Sequence, residues 1–200
     1  LKKPSRIGVC FMGDLFGDWI DPVYGRGEYG EDKAGYFTLK GRIFDTIERC
    51  PQHTFIFLTK CPWNLPKWRP FPDNCYVGVT ATDYDRFVDA CGTLESLHHQ
   101  HGAVTYVSLE PLLSWDSVPG FTLPWLNGNV EWIIIGACTG TRSEMEALVA
   151  HYPELTLMPY GNRWTAQPRI EWVQEIVEAA DQAGVAVFLK DNLLELVNYQ

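Results

Sequence analysis

Six short apolar runs, separated by helical patterns, constrain the fold of this chain more than any other feature of its sequence. Each run holds four to six residues and is rich in Val, Ile, Phe or Tyr. A nearly continuous apolar run of this length is typical of a β-strand that is buried on both faces, as in a parallel sheet. The runs are Ile7–Met12, Thr54–Leu58, Tyr76–Val79, Val104–Leu109, Trp132–Ile135 and Val185–Leu189.

Most of the segments between these runs repeat their apolar residues at helical spacing. The predicted helices are Thr38–Cys50, Asp83–Gln100, Ser143–Ala150 and Pro168–Ala183, and the predicted loops are Gly17–Phe37 and Ser114–Gly128. Strands that alternate with helices indicate βαβ units. We therefore predict an α/β partial barrel with a parallel sheet of about six strands, in one domain over residues 1–200.

Composition and charge exclude several classes of protein. Apolar residues make up 46% of the chain, too many for a disordered protein. The net charge is −9, which argues against broad nucleic-acid binding. No apolar run approaches the roughly 18 residues that a membrane span needs, and no signal stretch opens the sequence, so we predict a cytoplasmic protein. The six cysteines show no zinc-binding spacing, and we expect Cys10, Cys75 and Cys138 to be small buried side chains.

Polar residues follow all six apolar runs, directly or after a short stretch that begins with glycine. In a parallel sheet or barrel the carboxyl ends of the strands meet at one edge, where ligands bind. Asp14 and Glu110 suit an ammonium group or ribose hydroxyls, Lys60 and Lys190 suit a carboxylate or phosphate, and Gly136–Gly140 brings backbone N–H groups near an anion. The predicted ligand-binding residues are Gly13, Asp14, Lys60, Thr80, Thr82, Glu110, Gly136, Thr139, Lys190 and Asn192. The sequence indicates no catalytic residue and no metal ligand.

Each of these positions also has a purely structural interpretation. Thr82 and Asp83 are typical helix caps, and Gly136–Gly140 is compatible with a simple turn. The aromatic segment Cys61–Pro72 either stacks a planar ligand or packs over the end of the barrel. Three histidines, His98, His99 and His101, fit a solvated helix end better than a metal site.

Six segments, taken in order, resemble an uncharacterised family found in bacteria and bacteriophages. They are "FMGDLFGDW", "FLTKCPWNL", "VGVTAT", "VSLEPLL", "IIIGACTG" and "VAVFLKDNL", and the resemblance runs from Ile7 to about Leu194. Members of that family are similar to radical S-adenosylmethionine enzymes and share their partial (β/α) barrel. The resemblance implies that Met12–Asp14 receives the methionine amino group. It also implies that Thr80, Glu110 and Gly136–Thr139 hold the ribose, carboxylate and adenine of S-adenosylmethionine.

The chain departs from that family in lacking a closely spaced cysteine triad, which would bind a 4Fe–4S cluster. In the family this segment would precede Leu1, so we expect a fragment that lacks its first βα unit. We expect no cluster on this chain alone, although the longer gene product would bind one. The missing unit would leave the Ile7–Met12 strand as an exposed edge, open to self-association.

Three functions remain open from the sequence. The first is a radical S-adenosylmethionine-type enzyme, whose cofactor gives a 5′-deoxyadenosyl radical that abstracts hydrogen. The second is a barrel without redox function that binds a nucleotide or another small molecule in its mouth. The third is a phage-related interaction module, whose exposed aromatic loops around Trp63, Trp68, Trp115 or Trp125 dock a partner. The substrate and the oligomeric state are not indicated, and whether the chain is an enzyme is left undecided.

Overall fold

A sheet of six parallel strands curls into half a barrel at the centre of the molecule. The computed structural model describes residues 3–23, 38–101, 103–118 and 120–193, without the side chains of residues 98–101. The strands of this described part are β1 (Arg6–Gly8), β2 (Thr54–Thr59), β3 (Cys75–Thr80), β4 (Val104–Leu109), β5 (Trp132–Ile135), β6 (Cys138–Gly140), β7 (Thr156–Tyr160), β8 (Arg163–Gln167) and β9 (Ala186–Leu189). The order in the large sheet is β1-β2-β3-β4-β5-β9, with parallel pairing throughout. The predicted parallel α/β partial barrel is confirmed.

The register of the sheet separates its two faces. Val79, Val107 and Ile133 lie side by side on β3, β4 and β5 and are almost completely buried. Because side chains alternate along a strand, the neighbouring row of Gly78 and Tyr106 faces the opposite, concave side. Thr80 ends β3 in this same alternating row. Glu110, Gly136 and Lys190 follow β4, β5 and β9 at the carboxyl edge, where the side chains of Glu110 and Lys190 meet over Gly136.

The four predicted helices are confirmed. They begin and end at residues that favour helix termini. Thr38 Oγ1 accepts a hydrogen bond from Gly41 N at 2.9 Å, and Gly184 ends the helix before β9 with a φ of 70°. The helices of the described residues are α1 (Leu39–Glu48), α2 (Tyr84–His101), α3 (Thr122–Leu126), α4 (Arg142–His151) and α5 (Ile170–Ala183), with 3₁₀ helices at Pro62–Trp68 and Asp191–Leu193.

Helix α3 lies inside Ser114–Gly128, so the prediction of a loop is wrong for that part. A single carboxylate holds the segment against α5. Oε1 of Glu175 accepts hydrogen bonds from Trp115 Nε1 at 3.2 Å, Ser117 Oγ at 2.5 Å and Thr122 Oγ1 at 2.8 Å. These partners lie more than 50 residues away along the chain, so local sequence patterns do not report them.

A second sheet of three antiparallel strands, in the order β6-β8-β7, was not predicted. Its strands are three to five residues long and mix polar with apolar side chains, so they carry no continuous apolar signal. Helix α4 packs on this sheet, and the guanidinium of Arg142 lies 4.8 Å from the centre of the Trp164 ring. The interpretation of Gly136–Gly140 as a simple turn is wrong for Cys138–Gly140, which form β6.

The first and last apolar runs are less buried than predicted. Strand β1 ends at Gly8, and the chain then turns at Cys10, which has a φ of 58° and is exposed. Met12 is fully exposed, so the prediction of a strand over Ile7–Met12 is wrong beyond Gly8. At the opposite edge Phe188 is 51% exposed. The prediction that the first strand lies at an edge is confirmed.

The aromatic segment Cys61–Pro72 supplies core packing. Trp68 and Phe71 are buried, and the Trp68 ring lies 5.2 Å from that of Phe16. Trp115 is buried as well, so neither Trp68 nor Trp115 offers the exposed ring that a docking module needs. Trp63, by contrast, is 60% exposed. Residues 24–37 of the predicted loop Gly17–Phe37, Pro119 and the side chains of His98, His99 and His101 lie outside the described residues.

Candidate functional site

An ion pair spans the carboxyl edge between the ends of β4 and β9. Glu110 follows β4, Lys190 follows β9, and Lys190 Nζ lies 2.5 Å from Glu110 Oε1. Strand β5 lies between them and is followed by Gly136. A Cβ atom at Gly136 would lie 3.1 Å from both Glu110 Cγ and Lys190 Cδ. The missing side chain therefore lets the pair close across β5. Both side chains are about one-third exposed, so a ligand can reach their charged ends.

An amide network adjoins this pair and joins β5 to the segment after β9. Asn192 Nδ2 donates to the carbonyl of Ala137 at 2.8 Å, and Asn192 Oδ1 accepts from Ala137 N at 3.2 Å. The same Nδ2 donates to Thr139 Oγ1 at 3.2 Å. Asn192 is buried, so these bonds fix the backbone beside the ion pair. The structure thus brings together Thr139 and Asn192, both of which the sequence predicted.

Two functional candidates on β8 were missed by the sequence analysis. Gln167 Nε2 donates to the carbonyl of Asn192 at 2.6 Å and to Thr165 Oγ1 at 2.8 Å. Both residues are completely buried. Gln167 Oε1 has no hydrogen-bond partner within the described residues, which is costly for a buried acceptor. The available signal was the two-residue spacing of these polar side chains before Pro168, which places them on one face of a strand.

Asp14 has a different environment from Glu110. Its carboxylate accepts hydrogen bonds from Thr59 Oγ1 at 2.8 Å, Lys60 N at 2.8 Å and Phe16 N at 2.9 Å. Three donors of the chain itself therefore occupy this carboxylate and tie the turn after β1 to the end of β2. Gly13 lies in the preceding turn, where its N–H donates to the carbonyl of Cys10 at 3.0 Å.

Lys60 and Thr80 line a cleft of about 340 Å³ between the first 3₁₀ helix and α2, which we call the Lys60 cleft. Neither the Lys60 ammonium nor the Thr80 hydroxyl has a hydrogen-bond or ion-pair partner in the described part of the chain. The cleft is lined by Lys60, Pro62, Trp63, Val79, Thr80, Arg86, Asp89 and Thr93. Two of the predicted residues thus share a cavity that differs from the surroundings of Glu110.

Thr82 lies at the start of α2, as its structural interpretation expected. Its hydroxyl accepts a hydrogen bond from Arg86 Nη1 at 2.9 Å and donates to Asp83 Oδ2 at 3.0 Å. Asp83 Oδ1 accepts from Arg86 N at 3.0 Å, which caps the helix. The Thr82 hydroxyl is therefore occupied by hydrogen bonds at the start of α2.

The six cysteines are all free, and they are buried to different degrees. Burial raises the pKa of Cys75 to about 12. Cys138 is half-buried, and burial raises the pKa of its thiol, with a further contribution from the negative charges of Glu110 and Glu144. The expectation of buried side chains is correct for Cys75, wrong for Cys10 and only partly met by Cys138. Within the residues that the structure describes, no group of three or more His, Cys, Asp or Glu side chains could hold a metal ion.

The fold and the site together place the protein in one class, the parallel α/β half-barrels with polar side chains at the carboxyl ends of their strands. The chain belongs to the family described as "Protein of unknown function (DUF5131)", whose model matches residues 1–147. No curated protein and no solved structure matches the chain. The match covers Glu110, Gly136 and Thr139, while Lys190 and Asn192 lie beyond it. Across the described ranges, no helix combines the length and the apolar character needed to cross a membrane.

Proposed function

We propose that this half-barrel binds S-adenosylmethionine at its carboxyl edge, as the radical S-adenosylmethionine enzymes that the sequence resembles do. The pairing of Glu110 with Lys190 above Gly136 carries the proposal. The amino-acid end of S-adenosylmethionine holds an ammonium group beside a carboxylate. Glu110 would accept hydrogen bonds from the ammonium, and Lys190 would donate to the carboxylate. Because the existing pair is partly exposed, ligand charges can replace it at little cost.

The amide network supports the same assignment by fixing the backbone beside the ion pair. Gln167 Nε2 donates to the carbonyl of Asn192 at 2.6 Å, which joins β8 to the segment after β9. Because Gln167 is completely buried, it would position this backbone without contacting the ligand. Asn192 would hold the β5–β6 backbone in place while the ligand binds.

The residues present fit the amino-acid group of this cofactor, and they do not fit an iron–sulfur cluster. In the described part of the chain no three potential ligands stand together, whereas a 4Fe–4S cluster needs closely spaced thiolates. When bound, S-adenosylmethionine supplies a sulfonium-linked adenosyl group. The residues of this chain would hold and orient that group.

Isothermal titration calorimetry with S-adenosylmethionine tests the proposal. We expect measurable binding by the unmodified chain and roughly 10- to 100-fold weaker binding by Glu110→Gln, since a charge-assisted hydrogen bond contributes about 1.5–3 kcal/mol. Glu95→Gln is a matched control, because Glu95 is exposed on α2 and lines neither the ion pair nor the cleft. Equal affinity of the two variants, or no binding by the unmodified chain, would contradict the proposal.

A further inference from the structure

We infer that the Lys60 cleft is a second site, which binds a mononucleotide with its phosphate at Lys60 and its base against Trp63. The cleft has a volume of about 340 Å³ and is lined by different residues from the Glu110–Lys190 site. That volume is near the lower end of the range for small-molecule pockets, about 300–1,000 Å³. It suits one nucleotide better than a dinucleotide. The inference does not rest on S-adenosylmethionine binding.

The cationic side of the cleft carries unused hydrogen-bonding capacity. Lys60 and Thr80 have no side-chain partner in the described part of the chain, and both line the cavity. Arg86 adds a second positive charge, and its side chain is 67% exposed. Its ion pair with Asp83 is long, at 3.6 Å, and its Nη1 donates to Thr82 Oγ1 at 2.9 Å, which leaves the Nη2 donors without a partner in the described part of the chain. An ammonium, a guanidinium and a hydroxyl around one cavity form a donor set suited to phosphate oxygens.

The aromatic side of the cleft is held in place although it is exposed. Trp63 Nε1 donates to Asp18 Oδ1 at 2.9 Å, and Asn64 Nδ2 donates to the same oxygen at 2.8 Å. These two hydrogen bonds also hold the pKa of Asp18 below its ordinary value. Since Trp63 is 60% exposed yet anchored at its polar end, a base can stack on the indole without first ordering it.

The charge balance of the lining favours a monophosphate. Lys60 and Arg86 supply two positive charges, and Asp89 supplies one negative charge. Two further carboxylates border the cleft, Asp83 in its ion pair with Arg86 and Asp18 at the indole N–H of Trp63. A chain of several phosphates would meet the Asp89 carboxylate, whereas a single phosphate can lie against Lys60 alone. The Asp89 carboxylate then remains available to accept a hydrogen bond from a ribose hydroxyl. Lys60 is the cation of the lining that has no carboxylate partner in the described part of the chain.

Calorimetric titration with adenosine 5′-monophosphate and with adenosine tests this inference. We expect the monophosphate to bind the unmodified chain at least about tenfold more tightly than adenosine, because a charge-assisted contact to Lys60 is present only with the phosphate. Lys60→Gln should remove this difference. Trp63→Ala should weaken both ligands by roughly tenfold, as expected for the loss of a stacking partner.

Lys67→Gln is the matched control, because Lys67 lies on the 3₁₀ helix that borders the cleft but outside the cleft lining. Its Nζ donates to Asn64 Oδ1 at 2.7 Å and does not reach the cavity. Circular dichroism and thermal unfolding of each variant establish that it is folded. Equal binding of monophosphate and adenosine, or equal loss in Lys60→Gln and Lys67→Gln, would overturn the inference.

The two proposed sites can fail separately. Glu110→Gln should leave monophosphate binding unchanged, and Lys60→Gln should leave S-adenosylmethionine binding unchanged. If the monophosphate binds while S-adenosylmethionine does not, the Lys60 cleft is supported as a binding site and the proposed function is contradicted. If S-adenosylmethionine displaces the monophosphate competitively, the two ligands share one site and the inference of a second site is wrong.

Discussion

Two carboxylates follow two strands of the same sheet at the same edge, yet the structure uses them differently. Asp14, after β1, accepts hydrogen bonds from two backbone N–H groups and the Thr59 hydroxyl. Glu110, after β4, has a single side-chain partner within the described residues, the flexible Lys190. Backbone donors at strand ends cannot move away without changing the fold. A lysine side chain can turn to a ligand.

The comparison shows that a polar position at a strand end is insufficient evidence for binding. A carboxylate with several rigid hydrogen-bond donors from the chain stabilises the fold. A carboxylate with a single flexible partner is available to bind a ligand. By this criterion Asp14 stabilises the fold, and Glu110 is the better candidate for contact with an ammonium group. The resemblance assigned the methionine amino group to Met12–Asp14, and our proposal assigns it to Glu110 instead.

The largest expected effect is a difference in stability between alanine substitutions at two glycines, Gly78 and Gly136. A Cβ atom at Gly78 would lie 2.1 Å from the ring of Tyr106. Tyr106 is buried, and its hydroxyl donates to the carbonyl of Phe57 at 2.9 Å, so the ring cannot yield. We expect Gly78→Ala to lower the free energy of unfolding by about 3 kcal/mol or more. The atoms nearest to a Cβ at Gly136 belong to the flexible side chains of Glu110 and Lys190, so Gly136→Ala should cost less than about 1 kcal/mol.

Urea unfolding of both variants measures this difference, with Gly92→Ala as the control. Gly92 lies on α2, and a Cβ atom there would meet nothing within 4 Å. That change should raise stability by about 0.5–1 kcal/mol through helix propensity alone. If Gly136→Ala proves as costly as Gly78→Ala, the Glu110–Lys190 pair is a rigid part of the fold and the comparison fails.

The next effect concerns the carboxylates themselves. Asp14→Asn should lower the free energy of unfolding by about 1.5–3 kcal/mol, because three hydrogen bonds to a charged acceptor are weakened or lost. Glu110→Gln should lower it by less than about 1 kcal/mol, since its ion pair is partly exposed. Chemical denaturation at one pH and salt concentration compares them. If Glu110→Gln proves more destabilising than Asp14→Asn, then Glu110 stabilises the fold and Asp14 is the carboxylate available to a ligand.

The smallest effect is a change in the reactivity of Cys138 towards iodoacetamide. Burial and then the negative charges of Glu110 and Glu144 raise the pKa of this thiol. Raising the pKa leaves less thiolate at pH 8, and the thiolate is the reactive form. Glu110→Gln removes one negative charge, so the pKa should fall and alkylation at pH 8 should become faster, by roughly two- to threefold.

Mass spectrometry of the alkylated peptides measures this rate, and its rise with pH should begin at lower pH in Glu110→Gln. Cys10 is exposed and serves as an internal control whose rate should not change. Saturating S-adenosylmethionine should protect Cys138 if the ligand lies over the Glu110–Lys190 pair. If neither the substitution nor the ligand changes the alkylation rate of Cys138, the thiol does not lie close to the proposed site.

The sequence by itself determined the parallel sheet, four helices and the polar character of the carboxyl edge. These features depend on local signals. Val104–Leu109 is rich in β-branched and aromatic residues and becomes a strand with those bounds, and Thr38 caps α1 through a bond to a residue three positions away. The alternation of strand and helix then dictates parallel pairing, which brings all the strand ends to one edge.

Tertiary structure alone decided which polar groups are free. Asp14 meets Thr59 across 45 positions, Gln167 meets Asn192 across 25, and the Lys60 cleft needs the first 3₁₀ helix beside α2. The antiparallel sheet depends in the same way on pairing between Cys138 and Ala166. Such contacts are made between groups far apart in the chain, so their energies appear only after the sheet has formed. Local patterns place a residue at an edge, and long-range partners decide whether it remains available for a ligand.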